Sequence, residues 1–318
     1  MGCRHKGSLD ENRGFLTWRA TVRRQLLSAW MIAALVLPGS VARACTLWAA
    51  AGDEWAKGGG TLLVKNRDWT PDQHHEVRLT QPAAGFRYLG LYAIGSKSAG
   101  IKAGINEKGL VVVTATAGSI PEKDRAAMKS AKGVTSRLLS ACNSVAAALK
   151  MTELFLGPQI IMMADRKEIA YVEVGPEGKF AVKTAATGVL CHTNHYLEDS
   201  TLPFNKSLGE SSRVRYGRIK QLLAETPHPF DMKQFIAFSH DRVAGPDNSI
   251  FRTGSSSKVS RTVAIWIVAL PPTGTPRLYL KIMDSGEPER MIEADLDDVF
   301  AGRRQDILNT PQPAEKTK

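Results

Sequence analysis

From Cys45 onward the sequence is a succession of short strand-like runs broken by turn signals, and this restricts the fold more than anything else in it. "CTLWAAAG" and "TLLVKNRDW" flank the glycine-rich "DEWAKGGG", which reads as a hairpin. Further strands are expected over 76–81, 88–94, 100–105 and 110–117. After a charged connection over 121–132, apolar residues recur near a 3.6 period over 135–155, which predicts helix. Strands resume over 159–164, 168–174, 179–184 and 188–192. A second helical region covers 212–225, with Ser211 or Ser212 as its cap, and Asp231 caps a short helix running to His240. Two last strands fit 262–270 and 277–283. Hairpin-paired strands, two groups of helices and no internal linker predict one α+β layered domain over 45–302. The polar tail over 303–318 is expected to be flexible.

Residues 1–44 read as an export signal. Arg19, Arg23 and Arg24 form a basic flank, Leu26 to Leu37 an apolar core, and Ala42-Arg43-Ala44 the small residues at −3 and −1 of a signal-peptidase cut. The core is too short to span a bilayer, which takes about 20 residues as a helix. No stable membrane span is expected, and the mature protein is placed in the periplasm or outside the cell. Seven Lys/Arg against two Asp/Glu put +5 of the net charge of +11 in this leader. The remaining excess is dilute, with no basic stripe or recognisable module, so nucleic acid is not an expected partner. Assembly into a homo-oligomer is left open.

After removal of the leader three cysteines remain, Cys45, Cys142 and Cys191, an odd number that flags a free thiol in an exported protein. Cys142 and Cys191 read either as a disulfide or as small buried apolar side chains. If the hairpin loop centres between Ala56 and Lys57, Cys45 stands opposite Asp68 and Ala49 opposite Val64. A thiol, a cation (Lys65 or Arg67) and a carboxylate (Asp68) then share one end of the hairpin. A cut after Ala44 leaves Cys45 with a free α-amine, whose ordinary pKa of about 7.7–8.0 suits a general base near neutral pH. An N-terminal thiol carries its own base and needs no histidine.

"CTLWAA…GGGTLLVKNRDW" resembles the start of the N-terminal-nucleophile (Ntn) cysteine hydrolases, in particular the isopenicillin-N acyltransferase and carcinine hydrolase group. Choloylglycine hydrolases and penicillin V acylases are more distant relatives of that group. "AGINEKGLVV", "HTNHYL", "SSRVRYGRIKQLL" and "SRTVAIWIV" resemble further segments of the same family, in the expected order. The resemblance implies an αββα sandwich of two antiparallel sheets, with Cys45 opening a central strand. It implies hydrolysis or transfer of a small-molecule amide through a thioester on Cys45, with no cofactor. It further implies Asn194 as an oxyanion donor and the pair Ser260-Arg261 beside the nucleophile; Asp68, by its place at the Cys45 end of the hairpin, is expected to orient the amine. Lys65 stands where the choloylglycine branch usually has arginine, and Arg67 lies nearby. Thr116 falls near an asparagine that some relatives carry.

Other readings compete. Lipidation of Cys45 wants Leu at −3, which Ala42 does not supply. A non-catalytic exported binding protein on the same scaffold stays open. "CHTNH" is an incomplete ligand set with atypical spacing, so no metal is expected. A peptidase built on Cys191 and a histidine stays open, although no family-type signature surrounds Cys191. His74-His75 reads as exposed loop, and Arg213 and Arg215 as solvated or structural.

Overall fold

The computed structural model describes residues 44–95 and 99–309. The expected export signal and the end of the polar tail lie outside the described residues.

Strands form two antiparallel sheets. The first is built from β1 (Cys45–Ala51), β2 (Thr61–Trp69), β10 (Gly188–His192), β11 (Arg261–Leu270), β12 (Arg277–Ile282) and β13 (Arg290–Asp295), in the order β10-β1-β2-β11-β12-β13. The second runs β3 (His74–Thr80), β4 (Tyr88–Ile94), β5 (Gly100–Asn106), β6 (Val111–Thr116), β7 (Gln159–Ala164), β8 (Ile169–Val174) and β9 (Phe180–Ala185) in chain order. A meander of this kind is what hairpin-joined strands give.

Both sheets contribute to three apolar layers. Between them pack Leu47, Leu63, Leu89, Val113, Met162 and Trp266. On the outer face of the second sheet, α2 (Val134–Ala141) and α3 (Val145–Leu149) cover Val112, Ile161 and Val172. On the outer face of the first sheet, α4 (Glu210–Glu225) and α5 (Met232–Ser239) cover Trp48, Val64 and Ile265. The result is a four-layer αββα sandwich, the α+β architecture expected from the sequence. Because both faces of the central strands are covered, β1 and β2 are buried at every position, the charged end of β2 included.

Several details differ from the sequence reading. The charged connection carries a short helix, α1 (Glu122–Ala127), and the helical stretch after it is broken into α2, α3 and a 3-10 turn at Thr152–Leu154, with Ser144 capping α3. Neither Ser211 nor Ser212 caps α4, which opens at Gly209. Asp231 does cap α5, in a capping box with Gln234. A one-turn helix, α6 (Gly245–Asn248), follows α5, and β13 and the helix after it, α7 (Leu296–Phe300), were not expected, because "RMIEAD" is an alternating edge strand rather than an apolar run. The polar stretch from Arg303 is packed as far as Asn309. Ile307 enters the inter-sheet core, and Asn309 exchanges hydrogen bonds with the Val77 backbone, at 2.8 and 2.9 Å.

The β1–β2 hairpin sets the register of the site. Its loop closes through Gly52 N–H donating to Gly60 O (2.9 Å), so nine residues intervene and Ala56 alone is central. Pairs therefore sum to one less than expected: Cys45 faces Arg67, and Ala49 faces Leu63. A slip of one residue exchanges the two faces of a strand.

Candidate active site

This register sorts the basic and acidic residues of "KNRD" onto opposite sides. Lys65 and Arg67 share the inter-sheet face with Leu63 and Cys45, while Asn66 and Asp68 face the helices with Val64. Arg67 is directly across from Cys45, and Lys65 is two pairs further along, across from Leu47. Asp68 is not opposite Cys45, contrary to the sequence reading, because the loop has an odd length.

Lys65 crosses the inter-sheet space. Its Nζ donates to Lys102 O (2.8 Å) and Thr114 O (2.5 Å) on the second sheet. Burial pulls its pKa down to about 8, although Cys45 nearby works in the opposite direction. Burial thus brings the pKa of an ammonium on the Cys45 face of the strand down towards neutrality.

Arg67 is held from two sides. Its guanidinium lies 4.6 Å over the Trp69 ring, and its Nε donates to His75 Nε2 at 2.8 Å. His75 Nδ1 lies 2.6 Å from Asp284 Oδ1, and His75 N–H donates to Asp284 Oδ2 at 2.6 Å. A ring that accepts at Nε2 must carry its proton on Nδ1, and burial holds the His75 pKa below its ordinary value. His75 is thus a buried, neutral linker between Arg67 and Asp284 and not an exposed loop residue. The sequence hides this because His75 alternates with exposed His74 on an edge strand.

Cys45 is gripped through its backbone. Its N–H donates to Asn194 Oδ1 at 2.8 Å, and Arg215 Nη1 donates to its carbonyl at 2.6 Å. Arg215 also reaches Thr46 Oγ1 (2.8 Å) and Asn194 Oδ1 (3.0 Å). Arg215 is fully buried on the inward side of α4 and braces the Cys45 strand, so of the two readings of this residue the structural one holds and the solvated one does not. Its spacing from Ser212, one turn earlier on the same buried face, is the signal that could have found it. Asn194 Nδ2 donates to Thr116 O (2.8 Å), leaving a second N–H that makes no hydrogen bond among the described residues. Thr116 thus enters through its carbonyl.

The loop bearing Asn194 is over-determined. Asn194 N–H donates to Ser212 Oγ (3.0 Å), and Asn194 O accepts from Ser119 N–H (3.0 Å). Behind it the buried carboxylate of Glu173 accepts from Leu197 N–H (2.6 Å) and from Thr201 Oγ1, and lies 2.7 Å from His192 Nε2. Burial pushes the Glu173 pKa up, but these bonds outweigh it and hold the pKa below the usual carboxylate range.

Asp68 supports the site from the helix side. Its N–H donates to Ala44 O (3.0 Å), Thr262 Oγ1 donates to its Oδ1 (2.8 Å), and Arg252 Nη1 lies 3.8 Å from its Oδ2. Burial raises its pKa, opposed by Arg252 and Arg215. Arg252, buried and absent from the sequence reading, is the cation closest to Asp68. Arg261 pairs with Trp69 in the sheet and lines two clefts of about 540 and 340 Å³ at the end of β2. No hydrogen bond joins Arg261 to Cys45, Asp68 or Asn194 among the described residues. Ser260 is buried beside it, with its hydroxyl unpartnered among the described residues.

Cys142 and Cys191 are not bonded to each other. Cys142 packs under α2 beside Met151, and Cys191 packs on the opposite outer layer, where burial pushes its pKa up to about 12. His192 turns to the other face, to Glu173, and His195 bonds with Ser212, so neither histidine serves Cys191.

A family model described as acyl-coenzyme A:6-aminopenicillanic acid acyl-transferase matches residues 55–282. Among solved structures, the fold is similar to conjugated bile acid hydrolase from Clostridium perfringens, at 13% identity and TM-score 0.50, covering 80% of this chain and 93% of that one. It is also similar to penicillin V acylase from Agrobacterium tumefaciens, at 17% identity and TM-score 0.50, covering 80% of this chain and 86% of that one. No curated protein matches the sequence.

Proposed function

Because the chain belongs to the acyl-coenzyme A:6-aminopenicillanic acid acyl-transferase family, a group of Ntn amide-bond hydrolases and acyltransferases, we propose that it is an exported amidase or acyltransferase whose nucleophile is Cys45. The observation that carries this is the double grip on the Cys45 backbone, by Asn194 on nitrogen and Arg215 on carbonyl, with an ammonium on the thiol's face.

The Ala44–Cys45 peptide unit is held at both ends, its carbonyl by Asp68 N–H and its nitrogen by Asn194 Oδ1. Loss of the leader turns that nitrogen into an α-amine at a position already fixed. The amine takes the proton from Sγ, and the thiolate adds to the carbonyl of a small-molecule amide. Negative charge collects on the carbonyl oxygen, where the second Nδ2–H of Asn194 can donate. Asp68 N–H, released when the Ala44 carbonyl departs, supplies another donor. The ammonium of Lys65 lowers the energy of thiolate and oxyanion alike. Collapse breaks the C–N bond, the α-ammonium passes its proton to the leaving amine, and a thioester to Cys45 remains. Water, or a second amine, attacks the thioester and frees the thiol.

Penicillin V acylase and conjugated bile acid hydrolase are named for penicillin V and for conjugated bile acids, which supports a small-molecule substrate here, and we take the bond to be a linear amide. Intact mass of the purified mature protein tests the reading. A chain beginning at Cys45, without lipid, and a Cys45→Ser variant with activity reduced at least about 100-fold are expected. A mature chain that starts upstream, or carries lipid on Cys45, overturns it. A binding protein on this scaffold would bind amides reversibly and leave no acyl group on Cys45.

A further inference from the structure

The second sheet is split behind Lys65. β5 and β6 pair from Ile105/Val111 to Ala103/Val113 and then part, although both strands continue. Lys65 fills the inner side of that opening, bonded to Lys102 O on one lip and Thr114 O on the other. On the outer side of the same opening lies a cleft of about 390 Å³. Its polar lining comes from Tyr88, Tyr92, Thr114, Thr135, Ser136 and Gln159, and it contains no Asp or Glu.

The first turn of α2 opens into this cleft. Gly133, in left-handed conformation (φ 65°), supplies no side-chain cap, and the turn holds no acidic residue. Among the described residues no acceptor reaches the N–H groups of Val134, Thr135 or Ser136. Such a turn carries a partial positive charge aimed at whatever occupies the cleft. A second observation is independent of the helix: Thr135 is 4% exposed, it lines the cleft, and its hydroxyl makes no hydrogen bond among the described residues. The side chain is held in place by burial while its hydroxyl opens onto the cleft, free to donate to an acceptor there.

We propose that the cleft is a binding site for an oxyanion-bearing small molecule, held by the N–H groups of α2's first turn and the Thr135 hydroxyl. The site is on the far side of the sheet from Cys45, so it does not depend on Cys45 being the nucleophile. It is linked to the other face through Thr114, whose residue lines the cleft and whose carbonyl binds Lys65.

The test is a ¹⁵N-correlation titration of the mature protein with sodium acetate and, separately, sodium phosphate, against sodium chloride at equal ionic strength. Saturable shifts centred on the amides of residues 134–136 are expected with at least one of the two anions. Saturation by acetate assigns a carboxylate end to the ligand, and saturation by phosphate alone assigns a phosphoryl group. Thr135→Val should weaken the response about 10-fold. Ser136→Asp, which places a carboxylate on the turn, should abolish it. Absence of saturation up to about 50 mM, equal shifts with chloride, or a response unchanged in both variants would overturn the proposal.

Discussion

At the scale of single residues, two buried groups set how activity should depend on pH. Lys65 is a cation only while its ammonium survives desolvation, and its pKa of about 8 makes charge and neutrality exchange just above neutral pH. Activity that relies on this charge should fall as pH rises through about 8. Folding responds in the opposite sense. Below pH 8 the full penalty for a buried ammonium is present, and between pH 8 and the unfolded value of 10.5 the unfolded chain binds more protons, so this group makes stability rise with pH. Lys65→Arg should keep the charge and remove the falling limb of the kcat/KM profile. Lys65→Met should lower kcat/KM about 100-fold at pH 7. An unchanged alkaline limb in Lys65→Arg would remove Lys65 from the account.

His75 gives the complementary limb. The groups facing it are Arg67, Asp284 and, further off, Lys65. Its folded pKa lies below 6.5, so its contribution to stability is complete above that value and is lost as pH falls through the folded pKa. Protonation would remove the acceptor from Arg67 and set two cations against each other. His75→Gln can accept from Arg67 and donate to Asp284 without titrating. It should retain activity and extend it to lower pH, whereas His75→Leu should lose about 10-fold at pH 7. Both are read from kcat/KM profiles, and identical profiles for the Gln variant and the parent would contradict this role.

At the scale of elements, the β1–β2 loop decides which side chains meet Cys45. Gly60 adopts φ +73°, and a Cβ there would lie 2.0 Å from Leu270 O, on the strand next to β2. Gly58 has a similar φ of +79° but faces open space. Gly58→Ala should therefore cost only about 1 kcal/mol, for its backbone conformation. Gly60→Ala should cost about 3 kcal/mol or more, and equal losses in thermal unfolding would contradict the packing argument. The same loop marks the boundary of what could be read in advance. That Cys45 and "KNRD" share one end of a hairpin was legible from two apolar runs and a glycine cluster. Which of Arg67 and Asp68 faces Cys45 was not, because one residue of loop length decides it and glycines allow either parity. Arg215 and Arg252 were missed for a related reason: an arginine buried among polar backbone groups has the same sequence appearance as one in solvent.

At the scale of the whole molecule, the sandwich explains why the site is built where it is. Central strands covered on both faces bury Lys65, Arg67 and Asp68, so each must find its partners within the protein. Lys65 finds them on the second sheet, Arg67 on β3, whose His75 reaches Asp284 beyond β12, and Asp68 on β11 and the segment before it. Antiparallel strands, helices in two groups and the resemblance of scattered motifs were enough to predict these layers. The edge strand β13 and the packed segment to Asn309 were less visible, because their few buried residues are interleaved with charges.

The account depends most on the claim that the Cys45 α-amine is the base. Two chains should be prepared, one beginning at Cys45 and one retaining Ala44, each verified by intact mass, and both incubated with a panel of small linear amides. The account predicts acyl-adduct formation on Cys45 and turnover only in the chain that begins there. Equal acylation and turnover in a chain shown to retain Ala44 would contradict it.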